Sequence, residues 1–236
     1  MSNYQPLHGL PALAGLATFA EAQKPGLAVE ECVRRLKRHH YAFKRLHEIF
    51  LARLTAEPVY ELKMAFSLHA HYCAEHAAAL RQRVGEMREP PLGLDAVPDE
   101  NLAIFFDEIQ AAPTKEELLA GLYEKAVPAL VAALERHRRE TNPLADAPSV
   151  RLGKFALLEL REMAEYGGKA VGALRGENVQ RSTEWFTLLD DCLAAAGGLD
   201  GTSAPVSKQL VKRYSATPFA YDKMPRRDAR DRKSVV

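Results

Sequence analysis

The stretch LHAHYCAEHAAAL, Leu68 to Leu80, sets His69, His71 and His76 within eight residues, beside Tyr72, Cys73 and Glu75. Neutral imidazoles are nitrogen ligands for zinc, iron or manganese, and carboxylates supply the anionic partners such ions take. Residues seven apart on a helix are offset by only about 20°, so His69 and His76 share a face, with Tyr72 between them. Glu159 and Glu162, three apart in a later segment, also project together. Burying an unpaired carboxylate costs several kcal/mol, so a buried Glu159 requires a histidine, an arginine or a metal as partner. Cys73 with His76 makes one C-x-x-H pair, which without a second pair is thin evidence for zinc. The plainer reading makes each histidine a neutral core residue bonded to a carbonyl, with Glu159 paired to Arg151 or Arg161 or set at a bundle rim.

Helix is the only periodic signal available to position these groups. Segment A, about Leu27 to Leu54, carries Val29, Val33, Leu36, His40, Phe43, His47, Phe50 and Leu54 at alternating spacings of three and four. That is an amphipathic stripe. Pro58 opens segment B, about Val59 to Met87, whose stripe is Leu62, Ala65, His69, Tyr72, His76, Leu80, Val84 and Met87. Pro90 and Pro91 end it. A short segment C spans about Asp99 to Gln110, and a Thr114/Glu117 capping box starts segment D. D runs through Leu119, Leu122, Ala126, Leu130, Ala133 and His137, with Pro128 expected to kink it. Segment E, about Val150 to Leu174, presents Leu152, Phe155, Glu159, Met163, Tyr166 and Ala170 on one face. Segment F, about Asn178 to Ala196, ends at Gly197 and Gly198. These phases put a ligand-type residue on the inward face of four helices, while His39 and His71 point off the stripes toward solvent.

Composition excludes several function classes. Lys and Arg total 32 against 31 Asp and Glu, a formal charge of +1, so there is no global electrostatic case for nucleic acid or an anionic membrane. No apolar run reaches transmembrane length. Cys32, Cys73 and Cys192 are odd in number and far apart, which fits a reducing cytoplasm better than a disulfide framework. The apolar stretch Leu10 to Ala22 lacks a preceding Lys or Arg and is broken by Pro11 and Gly15, which argues against a signal peptide. Residues 1–26 are expected to form an arm, 27–198 the helical domain, and 199–230 a polar linker making few internal contacts. The last six residues, DRKSVV, are what a common sequencing adapter encodes up to its stop codon. Asp231 to Val236 are therefore expected to be foreign and the natural chain to continue past about Arg230. An apolar face left uncovered would then favour self-association, as a homodimer or otherwise.

The phrases YELKMAFSLHAHYCAEHAAALRQRVGEMREPPLGLD, ALERHRRETNPLADAPSVRL and MPRRDARD resemble the N-terminal half of a family of uncharacterised bacterial ferritin-like proteins, from about His40 onward. The resemblance implies an all-α, ferritin-like four-helix bundle with additional short helices, and a site for iron or manganese. It implies Glu61, His69, His76, His137, Asp146, Glu159 and Glu162 as positions for that site. Glu61, Glu159 and Glu162 would be anionic ligands, His69, His76 and His137 nitrogen ligands, and Tyr72 a supporting donor. The implied role is a metal-dependent oxidase acting on an unknown small molecule. One departure is plain: ferritin-like di-metal sites use E-x-x-H on two helices, and here Cys73 stands three before His76 and Phe66 three before His69. The alternatives are a non-catalytic scaffold, or a degenerate repeat supporting a site in a second half. A histidine-ligated haem has no specific support.

Overall fold

The computed structural model describes His8 and residues 18–88, 90–174 and 182–231. Most of the expected N-terminal arm, and residues 232–236 of the expected adapter tail, lie outside the described residues. Helix α1 is a single turn, Phe19–Ala22. It is followed by α2 (Val29–Leu54), α3 (Tyr60–Met87), α4 (Glu100–Gln110) and α5 (Lys115–Ala120). A widened π turn, Gly121–Ala126, then leads into α6 (Val127–Glu140), α7 (Ala147–Leu174) and α8 (Thr183–Ala195). No strand occurs among the described residues, and none of their helices is long and apolar enough to cross a membrane.

Short links make α2–α3 and α6–α7 antiparallel hairpins. Contacts run α2 to α3, α3 to α7, α7 to α6 and α6 to α2, closing a ring of four long rods. The region after α3 crosses over to bring in α4, which packs on α2 and α8. Segment D is divided, not merely kinked. Thr114 caps α5 by accepting from the Glu117 N–H at 3.1 Å. Pro128 has no N–H to return to the preceding turn, and the chain widens into the π turn just before it.

The core runs the length of the rods, with Phe43, Phe50, Phe66, Leu122, Leu130 and Leu160 at most 1% exposed. The stripes of segments B and D are buried or half-buried as expected, but that of E is displaced by about a residue. The face of α7 that is buried carries Gly153, Ala156, Leu157, Leu160, Met163, Gly167 and Val171, while Phe155 is 53% exposed beneath the Arg151 guanidinium. Gly167 explains the shift: a methyl there would lie 2.1 Å from Tyr123 Cγ, so this helix buries its small residues to admit a bulky one from the π turn.

The segment after Leu199 departs from expectation as well. It is an ordered strap, not a contact-poor linker. Glu108, fully buried on α4, accepts from the Arg213, Tyr214 and Ser215 N–H groups, the Ser215 hydroxyl and the Trp185 indole, at 2.7–3.1 Å. Further on, Asp228 accepts from the Tyr60 N–H at 2.8 Å and so caps α3, whose own N-cap residue, Val59, has no capping side chain.

Candidate metal centre

At one end of the ring, the start of α2, the end of α6 and the start of α7 bring Cys32, His137 and Asp146 together. Cys32 lies in the first turn of α2, and His137 in the last turn of α6. Between α6 and α7 the chain turns on Asn142, whose Oδ1 accepts from the Leu144 and Ala145 N–H groups at 2.9 and 2.8 Å. That tight turn delivers Asp146 to the start of α7, where its carbonyl accepts the first helical bond, from Val150 at 3.0 Å. All three residues are buried, and one ligand-type atom from each lies within 4.8 Å of the others.

The polar accounting at this point is incomplete within the protein. Both His137 ring nitrogens are buried with no hydrogen-bond partner, as are both of His39, which packs edge-on to His137 with ring centroids 5.6 Å apart. His137 Nε2 lies 3.6 Å from Asp146 Oδ2. That is too long for a hydrogen bond but matches the roughly 3.3–3.8 Å between neighbouring ligands of a tetrahedral ion bound at about 2.0–2.3 Å. Asp146 is held from its other side, with Oδ1 accepting from Arg83 at 2.8 Å. Thr141 donates to Oδ2 at 3.0 Å, and its hydroxyl is 3.8 Å from Cys32 Sγ.

The electrostatics suit ligation. Burial pushes the Asp146 carboxyl up, but the polar groups of His137, Ser149, Arg83 and Thr141 more than reverse this and hold it far below the usual carboxylate range. Asp146 is therefore an anion. Burial raises the Cys32 thiol, so a metal binding there has to displace its proton. Burial, with His137 and two arginines adding to it, drives His39 well below an ordinary imidazole, so it stays neutral.

The six residues expected from sequence do not converge. Glu61 is exposed and carries Arg230 at 2.6–2.9 Å. Glu162 is exposed on α7. His69 is inward, 4% exposed, but its Nδ1 pairs with the Tyr123 hydroxyl at 2.7 Å. His76 Nε2 lies 2.6 Å from Glu159 Oε2, so Glu159 takes neither Arg151 nor Arg161 as partner. His137 alone of the six joins the cluster, with Asp146 from the wider set. His71 is exposed as expected, whereas His39, expected in solvent, is 0% exposed. Cys32 and His39 were missed although a signal existed. Cys32, Leu36, His39, Phe43, Leu46 and Phe50 form a second stripe at spacings of four and three, which shares Leu36, Phe43 and Phe50 with the first and widens it. Helix α2 packs against α3, α4 and α6, so both stripes turn inward along most of its length, although Val29 at the start of the first is 54% exposed and His47 and Leu54 are half-buried.

A small cavity of about 10 Å³ lies beside the cluster, lined in part by His39, His76, His137 and Ser149. It has room for about one water molecule. Comparison with protein-family models, with curated proteins and with solved structures returned no match.

Proposed function

We propose that this chain is a ferritin-like helical bundle whose working centre is a single transition-metal ion held by Cys32, His137 and Asp146. Two antiparallel hairpins joined by one long crossover is the connectivity of ferritin-like bundles, and this supports the fold half of the reading. The observation that carries the metal half is the pair of buried, unpartnered nitrogens on His137, set against an ionised Asp146 and a thiol. Orphaned buried polar atoms are rare and costly, and an ion coordinated there satisfies one of them directly. Thiolate, imidazole and carboxylate together neutralise a divalent ion. The soft thiolate favours Zn²⁺ or Fe²⁺ over Mn²⁺.

A di-metal oxidase is the less favoured reading. Its bridged site needs carboxylates from all four helices, whereas Glu61 and Glu162 lie at the surface and Glu159 is paired with His76. Three protein ligands leave one coordination position, but the adjoining cavity, lined by His137 and by neither Cys32 nor Asp146, is too small for an organic substrate. The geometry therefore favours a structural or regulatory ion over substrate oxidation. For the α3 histidines, the direct pairs His69–Tyr123 and His76–Glu159 favour the scaffold reading, polar contacts that fix helix register.

The test is the metal content of protein purified without a metal-binding tag after growth with zinc, iron and manganese each supplied. About one ion per chain is expected, lost in Cys32→Ser, His137→Ala and Asp146→Asn and retained in His76→Ala and Glu159→Ala. Metal-free protein under all three supplies, or loss only in the last two variants, would sink the reading.

A further inference from the structure

Just outside the same end of the bundle lies an open cleft of about 380 Å³. Four cations line it. Lys24 comes from the link before α2, Arg138 and Arg139 from the last turn of α6, and Lys154 from the early turns of α7. None of the four makes an ion pair among the described residues, whereas the two acids of the cleft are already engaged. Glu21 accepts from the Thr18 N–H and hydroxyl at 2.8 and 2.9 Å, and Glu140 accepts from Arg35 at 2.6 Å.

The arrangement is built at three points. Asn142 Nδ2 donates to the Ala22 and Lys24 carbonyls, both at 2.8 Å, which fixes the backbone carrying Lys24 beside the cleft. Gly153 gives the Arg138 stem its berth, since a methyl there would lie 3.0 Å from Cδ. Arg138 Nε is buried with no partner. A guanidinium left with a buried, unsatisfied N–H, among three further unpaired cations, lacks a counter-anion.

We propose that this cleft binds a small phosphate-bearing molecule. Arg138 and Lys154 would hold the dianionic phosphate, with Lys24 and Arg139 adding positive charge. The four cations outnumber the two carboxylates of the cleft, one of which is already paired with Arg35, so the lining is net positive and suits an anion. A cleft of this volume takes a phosphate and a modest organic body. A planar guanidinium beside an ammonium is the donor set phosphate favours. The inference rests on no part of the metal reading.

The experiment is calorimetric titration of the full chain, in a chelator-containing buffer of low chloride, with inorganic phosphate and separately with succinate. Phosphate is expected to bind at least about tenfold more tightly than succinate, with Kd raised about tenfold by Arg138→Gln and severalfold by Lys154→Gln. Arg151→Gln, which removes a cation stacked on Phe155 away from the cleft, should leave Kd unchanged. Lys154 is an exposed side chain, so its variant tests the cleft even where Arg138→Gln perturbs folding. Phosphate binding absent in the wild type, or insensitive to both variants, would overturn the proposal. Tighter binding of succinate would overturn the phosphate assignment in favour of a dicarboxylate.

Discussion

Two layers of the same bundle bury imidazoles in opposite ways. Midway along α3, His69 sits among Phe50, Tyr72, Tyr123 and Tyr166, and its one close polar contact, with the Tyr123 hydroxyl, is short and direct. At the end of the bundle, His137 and His39 are buried as deeply, yet none of their four ring nitrogens has a partner. Low-dielectric surroundings make a satisfied polar pair rigid and an unsatisfied one costly. The first layer is complete as folded, whereas the second leaves its ring nitrogens without a protein partner. That contrast separates a paired histidine from an unpaired one where residue type cannot, and each layer can be pressed separately.

The largest effect should come from closing the space that the aromatic layer uses. Gly167→Ala forces the Tyr123 ring off α7 and with it the hydroxyl from His69, so unfolding stability should fall by about 3 kcal/mol. Chemical denaturation reads this directly, and a loss under about 1 kcal/mol would mean that the layer repacks freely.

Acid should act on the same layer. Burial lowers His69 from 6.5 to about 4, so the folded state binds its proton less readily than the unfolded chain. The stability this contributes is fully present above about pH 6.5 and is lost as pH falls toward about 4. Between pH 7 and pH 5 the wild type should lose about 2 kcal/mol more than His69→Leu, which has no such proton to take up. Parallel losses in the two proteins would contradict the assignment.

Substitution of the two histidines gives the sharpest contrast at neutral pH. His69→Leu strands the Tyr123 hydroxyl in the core and should cost about 2 kcal/mol. His137→Leu removes nitrogens that make no close hydrogen bond, but also an imidazole 3.6 Å from Asp146 that helps hold this buried carboxylate ionised, so in metal-free protein it should cost only about 1 kcal/mol. Equal losses from both would remove the distinction between the layers.

The sequence made the rods legible and their rotation only partly so. The stripes of α3 and α6 are legible because bulky apolar residues mark their buried faces. In α7 the buried face is marked by Gly153, Ala156 and Gly167, and counting large residues selected Phe155, which lies outside. The candidate centre was half visible. His137 fell on a stripe and Asp146 lay within a family-like phrase, but Cys32 and His39 belonged to a second stripe that becomes inward only because α2 is enclosed by three neighbours. The strap was illegible for a different reason. Glu108 looks like one more acid on a short amphipathic helix, and nothing local says that it will gather the N–H groups of residues more than a hundred positions away. Such pairings are settled by tertiary packing, which no periodicity encodes.

The claim that the unsatisfied layer is a metal centre is tested most directly by titrating chelator-treated, untagged protein with cobalt(II). Cobalt is a spectroscopic stand-in for zinc, and thiolate ligation adds a sulfur-to-metal charge-transfer band in the near ultraviolet. The account predicts that band at one equivalent, gone in Cys32→Ser although Cys73 and Cys192 remain, with visible bands weakened in His137→Ala. Apparent affinity should rise roughly tenfold per pH unit as the raised Cys32 thiol gives up its proton. No charge-transfer absorption in the wild type, or an unchanged spectrum in Cys32→Ser, would contradict it.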